Sequence, residues 1–207
     1  MKTGRNRVRA FLVCLLAGLG LGRQNEAAAE VTGLIGLRLS EAQTASDLFT
    51  FFHFAPVGPE ELRVTTFKPT GEAFRPLVTL KVTTGDGGII RSLQLLVARS
   101  FIDDPKQCIY AADLAKSFLL DAAAPSDGVS SLAREINARS MARSGGTILT
   151  TQPLPDISAP PSPAYRTYAG DAKAQELSYS TGNVQLSLRN IVQGTEPVLE
   201  FTVAASP

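Results

Sequence analysis

The chain has 207 residues, with 20 Lys plus Arg against 19 Asp plus Glu, one His, two Cys, no Trp and 44% apolar residues. That balance excludes a disordered polyelectrolyte, and 17 Gly without a three-residue period exclude a collagen-like rod. One His and two Cys cannot build the ligand clusters of zinc fingers, zincins or iron–sulfur proteins, so no metal and no cofactor is expected. A formal charge of +1 gives no reason to expect nucleic acid as a partner.

Lys2, Arg5, Arg7 and Arg9 crowd the start, and Ala10 to Gly22 is then an unbroken run of apolar or small residues ended by Arg23. A run of about thirteen residues is short of the roughly twenty that cross a bilayer core, and it suits the apolar region of a signal peptide. Ala27-Ala28-Ala29 offers small side chains at both positions that a signal peptidase reads, so residues 1–29 are read as a signal peptide. The expected destination is the periplasm or the medium, with no stable transmembrane anchor left after cleavage. An uncleaved anchor and a short cytoplasmic apolar helix are the alternatives. Cys14 follows Val13 near the start of the apolar run, which does not fit lipidation, and no Arg-Arg pair points to the twin-arginine route. Cleavage leaves 15 basic against 18 acidic residues, a mildly acidic product whose one thiol, Cys108, cannot close an internal disulfide. A domain of about 178 residues buries close to 70% of the surface of its unfolded chain and needs no such staple. Cys108 is therefore read as a small core residue.

In chain order, Ile35, Leu37 and Leu39 recur at every second position and predict a strand over Gly33 to Leu39. Ser40 can cap a helix carrying Ala42, Ala45, Leu48, Phe49 and Phe52, which Pro56 and Pro59 end. Strands are predicted at Leu62 to Phe67, Leu77 to Thr84 and Ile89 to Arg99, the last two joined by Gly85-Asp86-Gly87-Gly88, whose glycines allow a tight reversal. Asp104 can cap a helix beginning at Pro105, with Cys108, Ala111, Ala115, Phe118 and Leu119 on one stripe. Asp127 can cap a second helix through Val129, Leu132 and Ile136. Five prolines make residues 152–164 a stiff loop or linker. Leu177 to Ser180, Val184 to Val192 and Val198 to Ala204 then read as a meander that turns at Thr181-Gly182-Asn183.

Groups able to do chemistry are few. His53 is the only imidazole, and among Phe49, Phe51, Phe52 and Phe54 it reads as a partly buried structural side chain rather than a base. Four Phe in six residues cannot all face one core from a single helix, so Phe51 and Phe54 are candidates for a pocket or a contact. Arg99, Asp103, Asp104 and Lys106 form the densest charge group. Its carboxylates could serve acid–base chemistry, but helix capping is the simpler role. Asp86 lacks the ligand series of a calcium loop, Gly33 to Gly36 lacks the third glycine of a dinucleotide fingerprint, and no GxSxG elbow occurs. Arg134, Arg139 and Arg143 read as a solvated face or a small anion-binding patch.

The expected fold is α+β, a mainly antiparallel sheet from two hairpin or meander regions packed by two or three helices. One domain over 30–207 is preferred, against an α+β unit over 30–146 with a small β unit over 165–207. Subtraction of catalytic groups leaves an exported, non-catalytic binding or interaction protein for a protein or small ligand of the envelope. Its rivals are a carboxylate-dependent hydrolase or glycan-acting enzyme using Asp103 or Asp104, and an accessory subunit of an envelope assembly. Intact-mass measurement of the exported protein should give a chain starting at Glu30; a retained initiator methionine would remove the export reading.

Overall fold

The computed structural model describes residues 33–123, 126–146, 155–174 and 176–206, and the predicted signal peptide lies outside them. The described chain opens not with the expected strand at Gly33 to Leu39 but with turns, because Gly33 and Gly36 take φ values of 82° and 93°. Arg38 makes an isolated bridge to Ile89, and Gly36 and Leu37 share backbone hydrogen bonds with Ile90, while Leu34 and Ile35 are buried from the turns themselves. The single helix expected after Ser40 is two, α1 (Leu39–Ala45) and α2 (Asp47–Phe51). Between them Ser46 is extended and its hydroxyl accepts from the Leu48 amide at 3.1 Å. Asp121 holds this break from a distant helix: its Oδ2 accepts from the Ser46 hydroxyl at 2.6 Å and from the Leu48 amide at 2.9 Å.

Seven strands follow, β1 (Phe54–Pro56), β2 (Val64–Pro69), β3 (Val78–Thr84), β4 (Ile90–Ala98), β5 (Glu176–Thr181), β6 (Val184–Gln193) and β7 (Glu196–Ala205). They form one antiparallel sheet in the order β1-β2-β3-β4-β7-β6-β5. The expected glycine-rich reversal is present as a 3-10 turn over Asp86–Gly88, with a register shift at Thr83/Thr84. The C-terminal meander also forms where the alternation places it. Its third strand returns to pair along β4, from Ser92 opposite Ala204 to Ala98 opposite Val198, so the two strand-rich halves of the chain share a sheet.

Between β4 and β5 run α3 (Arg99–Asp103), α4 (Cys108–Ala122), α5 (Asp127–Arg143) and α6 (Pro163–Tyr168). The architecture is α+β as expected, with six α-helices among the described residues rather than two or three, since Ser46 divides one and α3 and α6 span fewer than two turns and leave no periodic pattern in the sequence. Helix α4 begins at Cys108 rather than Pro105. The carbonyl of Asp104 accepts from the amides of Gln107 and Cys108, so a turn over residues 104–107 leads into the helix. Helix α5 is capped by Ser126, not Asp127, through the Val129 amide.

Register decides which side of the sheet is covered. Leu80, Leu95, Phe201 and Leu188 lie opposite one another in successive strands, as do Val82, Leu93, Val203 and Leu186, and all are buried. Every helix contributes side chains to this same core, among them Ala42, Phe49, Phe101, Phe118, Ile136 and Tyr168, with the Phe118 ring 5.7 Å from that of Phe201. Helices therefore cover one face, giving a two-layer packing.

The loop between β1 and β2 ends in a tight reversal in which Leu62 and Arg63 occupy φ values of 51° and 65° between the bridged residues Glu61 and Val64. Two positive φ values in succession are the signature of a type I′ turn, which favours Asn-Gly and costs ordinary side chains about 1–2 kcal/mol each. Leu62 is also 97% exposed and recovers nothing by burial. The Arg63–Asp86 ion pair at 2.8 Å is exposed on both sides and of little weight. Replacing Leu62→Asn together with Arg63→Gly should raise the unfolding free energy by about 1–2 kcal/mol in urea titration.

Candidate functional site

The residues singled out by sequence separate into two corners of the fold. At the first, Phe49 and Phe54 are core side chains, Phe49 meeting Phe67 edge-on at 5.3 Å and Phe54 at 6.3 Å. Phe52 is half-buried and Phe51, at 68% exposure, touches only its neighbour Phe52 among aromatic rings, at 5.0 Å. The four rings thus divide between core and solvent rather than lining one pocket. His53 is not partly buried as expected. It sits at φ 47° in the turn from α2 to β1, where the left-handed conformation directs its side chain into solvent, and its carbonyl accepts from the Thr70 amide.

At the second corner Arg99 is buried and spends its guanidinium on structure. It donates to the carbonyls of Tyr168 and Ala169, the otherwise unpaired end of α6, and to Asp103 Oδ1 at 2.6 Å. Its head lies so close to Gly170 that a Cβ there would stand 2.9 Å from Nη2, and Gly170 has φ 80°, so glycine is required on both counts. Asp104 instead accepts from the Lys106 amide at 2.8 Å, closing the turn before α4. The two neighbouring carboxylates therefore point to different structural partners. Among the described residues no group of three His, Cys, Asp or Glu is placed to hold a metal ion.

The arginines of α5 are also committed to backbone. Arg139 donates to Glu135 at 2.8 Å and to the carbonyls of Ile157 and Ala159, and its guanidinium lies 5.2 Å from the centre of the Tyr165 ring. Arg143 donates to the Ile102 carbonyl. Both hold loops and short helices onto α5, while Arg134, among the described residues, bonds within its own helix to the Ser130 carbonyl, so the three arginines have separate partners. Cys108 is fully buried, as expected, with its sulfur donating to the Pro105 and Ser140 carbonyls. Nearby, the buried hydroxyls of Ser140 and Tyr168 interact without reaching good hydrogen-bond geometry, and burial raises the Tyr168 phenol well above its ordinary value.

The arrangement that sequence reasoning missed is on the sheet face away from the helices. Thr66, Lys81, Gln94, Thr202, Ser187 and Ser178 are direct cross-strand partners from β2 to β5. At a strand spacing of about 4.8 Å, this makes a polar row roughly 24 Å long. A second row runs through Thr79, Leu96, Glu200, Arg189 and Glu176. At its centre Glu200 is only 3% exposed, accepting from Gln94 Nε2 at 2.6 Å and from Arg189 Nε. That hydrogen bond, with the Glu200 charge, lifts Arg189 further above its already high ordinary value and keeps it charged. Leu96, Ala98 and Val198 at one end of this face are buried but stand apart from the core cluster. The only hint in the sequence is a glutamate inside the apolar stretch of β7. Its pairing with Arg189 and Gln94, the latter 106 positions away, requires the register.

Chemically these rows present hydroxyl, amide and ammonium groups, with Leu96 and the Glu176 carboxylate, around the Glu200–Arg189 ion pair. Glu176 lies one strand beyond Arg189 from Glu200, so the arginine stands between the two carboxylates, and the remaining side chains of the rows supply hydrogen-bond donors and acceptors. They also lack the aromatic platforms on which single-stranded bases stack. Comparisons with protein-family models, curated proteins and solved structures returned no match to this chain.

Glu135 gives the helical layer a dependence on pH. Burial acts to raise its carboxyl, but hydrogen bonds from Ser162 and Arg139, with the charge of Arg139, outweigh burial and hold it below its ordinary value of 4.5. A depressed carboxyl stabilises the fold above the unfolded value, and that contribution is lost as pH falls through the folded one. Acid titration followed by circular dichroism should show stability declining below about pH 4.5, and Glu135→Gln should flatten that part of the curve.

Proposed function

We propose that this protein is an exported, non-catalytic binding module that engages a protein or small ligand of the cell envelope through the polar face of its sheet. The reading rests on one observation: a row of Thr66, Lys81, Gln94, Thr202, Ser187 and Ser178 runs across five strand junctions on the face away from the helices, beside a buried carboxylate that carries its own counter-charge. Such a surface offers many directional hydrogen bonds at fixed spacings, set on strands rather than on loops, which suits recognition of an extended polar partner. Commitment of Arg99, Asp103, Asp104 and Arg139 to helix ends and loops supports the same reading, because it takes the best catalytic candidates of the sequence out of play. The charged leader and its apolar run support the compartment.

The test is recovery of partners by crosslinking from the producing cells, with the tagged protein and two face variants, Lys81→Glu and Ser187→Arg. Both side chains lie on the polar row outside the core, so stability should stay within about 0.5 kcal/mol of the parent. Recovery of the partner should fall by about tenfold or more, as expected when a charge is set against a matched surface. Undiminished recovery with both variants would remove the sheet face as the binding surface.

A further inference from the structure

The sheet has two edges, and they are built differently. At one edge β1 is three residues long, ends in Pro56 and is followed by Pro59, the devices by which natural sheets refuse another strand. At the other, β5 runs six residues, Glu176–Thr181, with no proline, no lysine and no register shift against β6. Among the described residues no strand pairs with its outer side.

The hairpin that forms β5 fixes which backbone groups are left over. Gly182 and Asn183 make a two-residue turn between the partners Thr181 and Val184, with φ 59° at Gly182 as a type II′ turn requires. Narrow and wide pairs alternate away from that turn, so Thr181, Tyr179 and Leu177 direct their backbone groups to β6. Ser180, Ser178 and Glu176 direct theirs outward. Side chains alternate as well. Leu177 and Tyr179 lie half-buried on the helix side, and Glu176, Ser178 and Ser180 lie exposed on the polar side.

We propose that β5 pairs with β5 of a second copy of this chain about a two-fold axis through Ser178, joining two seven-stranded sheets into one. A two-fold perpendicular to the sheet keeps like faces together, so only residues of the same parity oppose one another. With Ser178 on the axis, Glu176 meets Ser180 of the second copy and Leu177 meets Tyr179 of the second copy. All three outward-facing residues then exchange both backbone hydrogen bonds across the junction. The apolar pairs fall at the non-hydrogen-bonded positions, where side chains approach most closely, and cover the remaining exposure of Leu177 and Tyr179. The charges also agree with this register. The two Glu176 side chains stand four residues apart along the junction, about 13 Å, beyond the screening length in physiological salt, and each faces a serine. A peptide of unrelated sequence would find the same hydrogen bonds but not this double match of apolar pairs and separated charges.

The occupant is therefore this chain itself, and the proposal stands apart from the choice of ligand on the polar face. Its test is molar mass by light scattering and sedimentation of the protein as the cell produces it, from about 2 to about 200 μM, a range suited to a small interface. The mass should approach twice the monomer value at the upper end, with amide exchange at Ser178 and Ser180 slowing as concentration rises. Ser178→Pro removes a donor that faces away from β6, so the monomer keeps its fold and the dimer is lost. Ser178→Lys sets two like charges face to face on the axis and should also give monomer, whereas Ser178→Thr keeps the dimer. Monomer mass for the parent at every concentration would overturn the proposal. So would a dimer that persists in the Lys variant, or one whose formation leaves the Ser178 and Ser180 amides unprotected.

Discussion

From β2 to β7 apolar side chains recur at alternate positions, and because neighbouring strands are antiparallel and in register, those positions coincide on one face from Phe67 through Leu80, Leu95 and Phe201 to Leu188. Parity is the constraint on which the remaining structure depends. A slip of one residue in any pair would turn the apolar set of that strand to the polar side and bring Glu200 or Arg189 into the core, where an unpaired charge is not tolerated. Once parity is set, the helices α1 to α6 have one place to go, and the polar rows form on the other side by default. The Glu200–Arg189–Gln94 cluster adds a check on register, since its three side chains meet only when β4, β7 and β6 align as observed.

The helical layer is attached by a different means. Arg99, Arg139 and Arg143 each donate to backbone carbonyls in segments distant along the chain. A planar guanidinium with five donors can serve two carbonyls and a carboxylate together, which lysine cannot do. These contacts tie the C-terminal end of α6 and the loop at Ile157 and Ala159 to α3 and α5. Placement of α3, α5 and α6 then follows from these three side chains together with the core packing of Phe101, Ile136 and Tyr168.

How much of this is legible in sequence depends on the length of each pattern. The β3–β4 hairpin, α4 and the C-terminal meander are readable because alternation or helical spacing persists over six or more residues and ends at glycine, proline or a cap. The apparent strand at Gly33 to Leu39 has the right alternation over too short a stretch, and glycines at positive φ turn it into a buried loop. Helices α3 and α6 are too short to show a period, and Ser46 divides α1 from α2 with help from Asp121, which no local reading can supply. The charged groups were harder still. Asp103 and Asp104 stand out as a pair along the chain yet take different partners in space, Asp103 the Arg99 guanidinium and Asp104 the Lys106 amide. Glu200, Arg189 and Gln94 stand far apart along the chain yet meet. Local density marks capping and turn chemistry, while the polar face depends on cross-strand pairing that spacing does not reveal.

The return of β7 to β4 has a temporal side. Ser92 and Ala204 are neighbours in space but are made more than a hundred residues apart, and until Glu196–Ala205 has emerged β4 offers an unsatisfied backbone flank beside Leu93, Leu95 and Val97. Closing so long a loop is entropically slow, and partial products of synthesis cannot complete the sheet. Completion of the sheet therefore waits for the last strand of the chain, and the order of synthesis puts β4 and β7 among the last pairs to close.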